Sequence, residues 1–466
     1  MKKVLFWFRN DLRLHDNEAL IKAAELGDVI PVYIIDERQF ENTSFGFKRT
    51  EKFRAKFLLE TLQDLKSSLQ SIGSDLIVKV GIPELELILI ANKYEVDHVV
   101  ASKEVTQEET SIESLFSYSL KPLNIDIDLF WGNTLIHVRD LPFQIHFLPD
   151  IFTDFRKRIE GQWKVRPLYE TPKSLGTMPD IKVGPIPTLA DLGFEEFEID
   201  PRDDNQFVGG EQNGFKRLNA YIWESNLIAT YKETRNGMIG KDYSSKLSPW
   251  LSLGALSPRT VYYEVKKYEE KNGANDSTYW LIFELLWRDY FHFIALKFGI
   301  RLFKRCGIKH DFTKKWRRNK DHFKRWIDGK TGVPIVDAAM QELKQTGYLS
   351  NRGRQIAASY FSKDMAIEWW WGAMYFESYL IDYEVCSNWG NWNYIAGIGT
   401  DPREDRYFNP VNQARKYDPE AAYMKLWLPE LSQIDNENLI EFMTLGDSLS
   451  EDLDYPKMPI SKPKRV

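Results

Sequence analysis

The chain has 466 residues, a net charge of -6 and 43% hydrophobic residues, and these values are typical of a globular protein. Its length exceeds what one ordinary hydrophobic core supports, so we predict two domains. Two cysteines exclude a disulfide framework and favour a reducing compartment. The first apolar run is too short for a signal peptide, and no run reaches membrane-spanning length. We therefore expect a cytoplasmic protein.

The first 131 residues alternate short apolar runs with helical patterns. The strand-like runs cover 4–8, 29–35, 76–80, 97–101 and 125–131. The helical patterns cover 49–71, 83–94 and 107–119. This alternation predicts a parallel sheet with helices on both faces, in a Rossmann-like α/β domain. No GxGxxG segment follows the first strand, so the usual dinucleotide fingerprint is missing.

Charged residues follow the first strand directly, in the segment RNDLRLHDN. Ligands of such sheets bind at the carboxyl ends of strands, so Arg9, Asp11, Arg13 and Asp16 could line a crevice. The alternative, which we favour, is a salt-bridged turn that anchors the next helix or domain.

The alternation of strand-like and helical segments ends at residue 132, and prolines recur from residue 132 to 208. This composition predicts a long surface linker with a helix near 150–160. From residue 209 the chain has helical patterns, and ten of the fifteen tryptophans lie between Trp250 and Trp392. The candidate helices cover 211–227, 258–272, 278–298, 321–328, 333–345, 352–368 and 371–380. We predict an α/β domain at 1–131, a linker at 132–208 and an all-helical domain at 209–466.

Residues 297–330 hold thirteen Lys or Arg and three Asp, although the whole chain is acidic. Such a concentration of positive charge could bind a polyanion. The alternative is an ordinary solvated helical face, and the sequence alone leaves the two open.

The stretch from Asp382 to Pro410 has two Trp, three Tyr, four Asn and three Gly among few aliphatic residues. Asn and Gly weaken helices and buried amides need partners, so the stretch is poorly suited to a plain core helix. Amides, small residues and aromatic faces together suit a site that holds a flat polar ring.

Two further segments could form binding sites. In DYSSKLSPWLSL, Ser248 is predicted to cap a helix that has Pro249 at its first position. The free N–H groups of such a helix start could bind a phosphate group. The alternative is an ordinary helix start without a ligand. On the helix 278–298, Glu284, Trp287 and Arg288 share one face. They could recognise a base, or form an ion pair beside a core tryptophan.

Arg354, at the start of another helical pattern, could pair with Asp382. A fixed carboxylate–guanidinium pair of this kind holds a rigid polar site in place.

Six segments in order along the chain resemble the photolyase/cryptochrome family. They are RNDLR, YSSKLSPWLSLGALSPR, ELLWRDYF, TGVPIVDAAMQELKQTGYLSNRGRQ, DYEVCSNWGNWNY and DPREDRYFNP. The resemblance continues to WLPEL at 427–431 and YPKMPI at 455–460. YKETRNGMIG, NRGRQ, CSNWGNWNY and TDPREDRYFN are most similar to DASH cryptochromes.

The resemblance implies an N-terminal α/β domain and a C-terminal helical domain that binds a U-shaped FAD. On the diphosphate side it implies Tyr231, Ser244, Ser245, Lys246, Leu247 and Ser248. Around the flavin it implies Glu284, Arg288, Asn351, Arg354, Asp382, Glu384 and Asn388. Asn388 matches the residue that faces flavin N5, and Glu384 stands where relatives usually have Asp.

The resemblance also implies a light-driven reaction, in which FADH⁻ donates an electron to a cyclobutane pyrimidine dimer in DNA. Trp287 and Tyr394 match the aromatic walls of the lesion pocket, and Glu284 matches the carboxylate that contacts the lesion. Arg352 and Arg406 are the expected DNA contacts. Tyr394 replaces a larger Trp of double-strand photolyases, which favours single-stranded DNA.

Trp392, Trp369 and Trp316 match the tryptophan chain that carries electrons to the flavin in the family. Trp370 departs from the pattern, because relatives usually have Arg there, and it or Trp371 could branch the chain or simply pack. DASH relatives often bind 5,10-methenyltetrahydrofolate as a light-harvesting antenna, and Glu108 is the candidate contact.

The chief alternative from another class is a blue-light receptor or transcription regulator that binds DNA without repair. The (6-4) repair activity is not expected, because its histidine pair has no counterpart between Tyr348 and Ala358. A flavoprotein that lost activity is disfavoured by the presence of Glu284, Asn351 and Asn388. We expect a monomer without a metal site and without membrane contact.

Overall fold

The computed structural model describes residues 2–179, 181, 183–403, 406–442, 455–456 and 460–461. The chain forms two compact units. The first unit comprises Met1–Phe197, Phe207–Ala229 and Lys246–Ile300. The second comprises Glu198–Gln206, Thr230–Ser245 and Arg301–Val466. The predicted domain boundaries at 131 and 208 stay a prediction.

The first unit contains a five-stranded parallel sheet. Its strands are β1 (Lys2–Phe8), β2 (Gly27–Asp36), β3 (Ile77–Gly81), β4 (His98–Ser102) and β5 (Asp126–Phe130). They are ordered β3-β2-β1-β4-β5, and β1 pairs with both β2 and β4. This is the strand order of doubly wound α/β folds, so the predicted fold class is confirmed for this part of the chain.

Helices connect these strands. They are α1 (Glu18–Leu26), α2 (Lys52–Ser71), α3 (Pro83–Lys93) and α4 (Gln107–Leu120), and α5 (Phe152–Glu160) follows the sheet. Leu5, Trp7 and Ile30 form one buried cluster with Leu87 of α3 and Phe116 of α4. Because alternate strand residues share a face, this cluster covers one face of the sheet, and each such side chain contributes about 1.5–3 kcal/mol.

The charged turn after β1 is an anchor inside the first unit. Asp16 Oδ1 lies 2.8 Å from Arg259 Nη2, and Arg13 Nη1 donates to the carbonyl of Gly254 at 2.8 Å. Gly254 has a φ of +63°, and a Cβ there would lie 2.0 Å from the Asn10 carbonyl oxygen, so only glycine allows this approach. The favoured interpretation, a salt-bridged anchoring turn, is confirmed.

The C-terminal part of the chain is helical, as predicted. Beyond residue 200 the described α-helices are α6 (Glu211–Asn219), α7 (Tyr231–Thr234), α8 (Ser248–Ser252), α9 (Pro258–Asn272), α10 (Asp276–Phe298), α11 (Lys320–Ile327), α12 (Pro334–Thr346), α13 (Asn351–Ser359), α14 (Trp369–Tyr379), α15 (Val385–Ala396), α16 (Pro410–Tyr417), α17 (Ala422–Trp427) and α18 (Asn436–Ile440). The predicted helices 211–227 and 352–368 change into π-helical turns at Ala220–Glu224 and Tyr360–Asp364. Such turns widen a helix by one residue and occur often near functional sites.

Candidate functional site

Helices α13, α14 and α15 of the second unit surround a cavity. Its lining residues are Asn351, Arg354, Gln355, Ala358, Phe376, Leu380, Asp382, Tyr383, Glu384, Ser387, Asn388, Asn391, Trp392 and Ile395. The structure therefore brings together five residues that the sequence assigned to a flavin pocket, namely Asn351, Arg354, Asp382, Glu384 and Asn388. Amides, charged groups and apolar walls in one concave space suit a flat ligand with polar edges.

Arg354 and Asp382 form the predicted pair in this cavity. Arg354 Nη2 lies 2.8 Å from both carboxylate oxygens of Asp382, and its Nε donates to the Leu349 carbonyl at 2.8 Å. Burial opposes the positive charge, but Asp382 outweighs it together with nearby Tyr348, so the pKa of Arg354 is raised. The guanidinium is therefore fixed in position and charge at the cavity wall.

The stretch from Asp382 to Pro410 contains a helix that was not among the predicted ones. Val385–Ala396 is α-helical, and its buried amides find partners. Asn393 Nδ2 donates to the carbonyls of Leu302 and Trp389, both at 2.9 Å, and Asn388 Nδ2 donates to Ala373 at 3.1 Å. Because these bonds compensate the amides, the residues that weaken an isolated helix are tolerated here. One N–H of the Asn388 amide is thus engaged, and the side chain lines the cavity.

Glu384 has a structural role in addition to its place at the cavity. It caps α15, and its Oε2 accepts the backbone N–H of Ser387 at 3.2 Å and also the Ser387 hydroxyl. That it reaches a flavin edge stays a prediction.

The helix start near Pro249 differs from its prediction by one residue. Helix α8 begins at Ser248, and Leu247 precedes it without a side-chain cap bond, so the assignment of Ser248 as the N-cap was wrong. Pro249 occupies the first turn, where a missing N–H is tolerated whether proline stands first or second. Lys246 has a left-handed φ of +58°, and this turn places the helix start.

The six diphosphate candidates are divided between the units. Tyr231, Ser244 and Ser245 belong to the second unit, whereas Lys246, Leu247 and Ser248 belong to the first. Their role towards a diphosphate stays a prediction.

Glu284, Trp287 and Arg288 lie on α10 of the first unit, half-buried at the predicted helical spacing. Arg288 donates to the backbone carbonyls of Asn133 and Leu251, the latter at 3.2 Å. Trp287 stacks on Phe152, with ring centroids 3.7 Å apart. The sequence predicted a short helix around Phe152 but did not indicate that its ring packs on Trp287. One face of the Trp287 ring is therefore supported by protein.

The three tryptophans of the predicted electron chain lie in the second unit. Trp392 packs against Gly372 of α14, where a Cβ would lie 2.2 Å from its ring. Trp369, at the first position of α14, donates its indole N–H to the Arg305 carbonyl at 3.2 Å. The Arg305 guanidinium in turn donates to the Trp316 carbonyl at 3.4 Å. Arg305 therefore connects the buried Trp369 with the half-exposed Trp316.

Trp370, where relatives usually have Arg, and its neighbour Trp371 have different surroundings. The ring of Trp371 contacts Phe323 at 5.5 Å, and Phe323 lies 6.4 Å from Trp326. Trp326 contacts Trp392 at 6.3 Å. Trp371 thus belongs to a packed aromatic cluster, and the indole nitrogen of Trp370 is buried without a hydrogen-bond partner in the described structure.

Two arginines of the second unit lie over neighbouring aromatic rings. Arg406 donates to the Tyr394 hydroxyl at 2.5 Å and lies 4.9 Å above the Phe408 ring. Arg352 lies 5.9 Å above the same ring and 4.1 Å above Tyr417. Burial, and then the charges of Arg406 and nearby Arg235, lower the pKa of Arg352. Crowded guanidinium groups of this kind favour an anionic ligand.

Glu108 stands in the first turn of α4 in the first unit. Its carboxylate pairs with Arg49 at 2.9 Å, and its side chain is 68% exposed. Its contact with a folate stays a prediction.

Comparisons with known proteins place the chain in a family. Residues 4–173 match the family model described as DNA photolyase, and residues 280–465 match the FAD binding domain of DNA photolyase. A Gloeobacter violaceus protein named Cryptochrome DASH is 50% identical over 432 residues, which cover 92% of this chain and 86% of that protein. The chain belongs to the photolyase/cryptochrome family. A Xenopus laevis relative, also named Cryptochrome DASH, is 48% identical over 92% of this chain and 83% of that protein.

Solved structures of the family give the same result. A cryptochrome of Synechocystis has a TM-score of 0.95 at 46% identity, covering 99% of this chain and 96% of that one. A class III photolyase of Agrobacterium tumefaciens has a TM-score of 0.84 at 28% identity, covering 99% and 94%. The fold of a photolyase/cryptochrome, with a sheet domain and a helical FAD-binding domain, is therefore shown.

One residue of the cavity supports the fit of a flavin. The Oε1 atom of Gln355 is buried and accepts no hydrogen bond from the residues that the structure describes. Such an acceptor costs about 1–3 kcal/mol unless a ligand supplies a donor. A flavin has both N–H and C=O groups at its edge, which match the donors and acceptors of Gln355, Arg354 and Asn388. Sequence reasoning missed Gln355, because nothing in its spacing separates it from its helical neighbours.

Among the described residues, no helix has the length and apolar character needed to cross a membrane.

Proposed function

We propose that the protein is an FAD-dependent photolyase of the DASH type that repairs cyclobutane pyrimidine dimers under light and prefers single-stranded DNA. The observation that carries this proposal is the cavity of the second unit. There Asn351, the Arg354–Asp382 pair and Asn388 line one space, inside the segment that matches the FAD binding domain of DNA photolyase.

Reduced FAD, when bound, supplies under light the electron that splits the dimer. Asn388 accepts a hydrogen bond from the flavin edge through its amide oxygen, while one of its amide N–H groups donates to the Ala373 carbonyl. A neutral amide at this position adds no negative charge near an anionic reduced ring. Arg354, held by Asp382, supplies a fixed positive charge that favours the same anion.

Five residues are assigned to the lesion and to the DNA. Glu284 contacts the lesion, Trp287 and Tyr394 stack on it, and Arg352 and Arg406 bind the DNA phosphates. Support for the phosphate role comes from the crowded charges around Arg352, which a phosphate relieves.

Tyr394 is the basis of the proposed strand preference. Its ring is smaller than that of tryptophan, and stacking on a base is worth about 1–3 kcal/mol. A weaker stack recovers less of the energy that flipping requires, and flipping out of a single strand requires less.

We further propose a 5,10-methenyltetrahydrofolate antenna with Glu108 as one contact, a cytoplasmic location and a monomeric state. The relatives' name, cryptochrome, supports a second candidate, a light receptor that binds DNA without repair. Loss of repair with retained DNA binding would favour that candidate.

The proposal predicts that Glu284→Gln lowers dimer repair while FAD stays bound. Loss of a hydrogen bond to a charged group is worth about 1.5–3 kcal/mol, so the repair rate should fall by about 10- to 100-fold. The measurement is thymine recovery from a dimer-containing oligonucleotide under illumination, together with the flavin absorbance per protein. Glu270→Gln, on the exposed side of α9, is the matched control and should leave both unchanged. Loss of FAD from Glu284→Gln would instead assign this residue to cofactor binding.

A further inference from the structure

Trp389 lies beside the predicted electron chain and was not part of it. Its ring contacts Trp369 edge to face, with centroids 5.7 Å apart and planes at 80°. Both rings are buried, Trp389 at 8% exposure and Trp369 at 0%. Two buried indoles in direct contact are close enough to exchange an electron.

The indole N–H of Trp389 has an unusual acceptor. It donates to the Oε2 atom of Glu377 at 3.2 Å, and Glu377 is itself buried in α14. The neighbouring indoles of Trp369 and Trp326 donate to backbone carbonyls, those of Arg305 and Ala357. A backbone carbonyl is far too weak a base to take up a proton, whereas a carboxylate is a base that accepts one.

This difference matters when an indole loses an electron. An oxidised indole is a far stronger acid at nitrogen than the neutral ring. Proton transfer needs a donor and an acceptor within about 2.6–3.2 Å, and the Trp389–Glu377 bond meets that limit. The carboxylate also stabilises the positive charge before the proton moves.

We propose that Trp389 and Glu377 form a proton-coupled branch of the electron chain. One electron passes from Trp389 to the Trp369 cation radical, which returns Trp369 to its neutral state. The N–H proton of Trp389 then passes to Glu377, which leaves a neutral Trp389 radical and a protonated carboxyl group. The branch traps the oxidising equivalent inside the protein, because its return to Trp369 requires the proton to move back.

This inference rests on the proposed flavin binding only for its oxidant: a bound flavin would supply the oxidising equivalent, which Trp392 and Trp369 of the predicted electron chain would pass to Trp389. Its consequence is competition with Trp316, since each equivalent trapped at Trp389 does not reach the protein surface.

The test is flash photolysis of the oxidised holoprotein, with optical and electron paramagnetic resonance detection of tryptophan radicals. The wild type should form a neutral indole radical, and its formation should slow in D₂O. Glu377→Gln keeps the shape of the side chain but cannot accept the proton, so most of the neutral radical should be lost. Trp389→Phe should remove the same signal and raise the yield of the Trp316 radical.

The matched control is Glu264→Gln in the first unit, where Glu264 accepts the indole N–H of Trp223 at 3.0 Å. It should leave the radical signals unchanged. Equal neutral-radical yield and equal D₂O effect in wild type and Glu377→Gln would overturn the inference. Retained flavin content in each variant excludes misfolding as the cause.

Failure of the proposed function would look different. Dimer repair by chemically pre-reduced Glu377→Gln should equal that of the wild type, because that reaction bypasses the branch. Absence of any tryptophan radical in the wild type would overturn both the predicted electron chain and this branch, whereas absence of repair with normal radicals would contradict only the repair function.

Discussion

Asp382 and Arg354 are the residues on which the rigidity of the cavity most depends. The Asp382 side chain is 2% exposed and accepts both of its bonds from one guanidinium nitrogen, while the Arg354 side chain is 27% exposed. Removing one partner of a buried pair leaves the other charge uncompensated.

Asp382→Asn should therefore destabilise the protein by about 3 kcal/mol, the lower end for buried pairs because Arg354 keeps some contact with water. It should also lower the FAD content of the purified protein. Denaturant unfolding and flavin absorbance measure the two effects. Glu25→Gln is the control, since Glu25 pairs with Lys22, both side chains are exposed, and such surface pairs contribute little to stability. Equal losses in both variants would contradict a special role of the Asp382 pair.

Glu104 gives the first unit a pH-dependent stability. Its Oε1 accepts from the side-chain amides of Asn10 and Asn133, at 3.2 and 3.1 Å. Burial raises the pKa of Glu104 to about 7, and Glu109 adds to the shift while Arg9 opposes it. Between its ordinary pKa of 4.5 and about 7, the folded chain therefore binds a proton that the unfolded chain has lost. The free energy of unfolding must fall as pH rises through this window.

Glu104→Gln should remove the part of this dependence that Glu104 contributes, because glutamine keeps the accepting Oε1 and does not ionise, whereas burial also raises the pKa of Glu211 and of Asp289 to about 7 and these groups remain. Relative to the wild type, the variant should gain up to about 3 kcal/mol in unfolding free energy between pH 4.5 and pH 7.5. Urea unfolding at several pH values measures the difference. Parallel stability curves for the two proteins would show that Glu104 does not titrate in this range.

At the residue scale, the sequence predicted chemistry better than geometry. The Arg354–Asp382 pair was predictable because a buried charge needs a partner of opposite charge, and the structure contains the pair. Gln355 was not predicted, because an unsatisfied acceptor is a property of three-dimensional surroundings. Ser248 was misplaced by one position, since proline tolerates either of the first two helical positions.

At the element scale, α14 depends on Gly372 for its approach to Trp392. Glycine inside a helix ordinarily weakens it by about 0.5–1 kcal/mol relative to alanine. Here a Cβ would lie 2.2 Å from the Trp392 ring, so helix propensity and packing oppose each other.

Gly372→Ala should destabilise the protein by about 1–3 kcal/mol in spite of the better propensity, because the displaced Trp392 overpacks the core. It should also slow photoreduction of bound FAD, since Trp392 is the proposed donor. Gly161→Ala is the control, because a Cβ there meets no atom within 4 Å. A stabilised Gly372→Ala protein with normal photoreduction would contradict the packing role of this glycine.

The strands and most helices were predictable because their patterns are strong. Strands β1 to β5 each overlap a predicted run, and α9 has the predicted bounds of 258–272. Helix α1 was not predicted, since nine residues give few repeats of the helical period. Helix α15 was not predicted from its composition. Its amides are satisfied by hydrogen bonds to other segments, and no local sequence pattern indicates such bonds.

At the scale of the whole molecule, the order of sheet and helices followed from the alternation of patterns. The division of the structure was harder, because α10 is helical and yet belongs to the unit that contains the sheet. Its Asp289 accepts the backbone N–H groups of Leu135 and Ile136, at 2.9 and 2.8 Å. Such long-range bonds decide which helices join which unit, and they leave no periodic trace in the sequence.

The proposed repair requires the whole molecule with FAD bound and reduced. The most direct measurement is thymine recovery when the reduced protein is illuminated with the same dimer-containing oligonucleotide in single-stranded and double-stranded form. Thymine should be recovered in the light and not in the dark, and at a higher rate on the single strand. Equal rates would contradict the strand preference, and no recovery on either substrate would contradict the repair function itself.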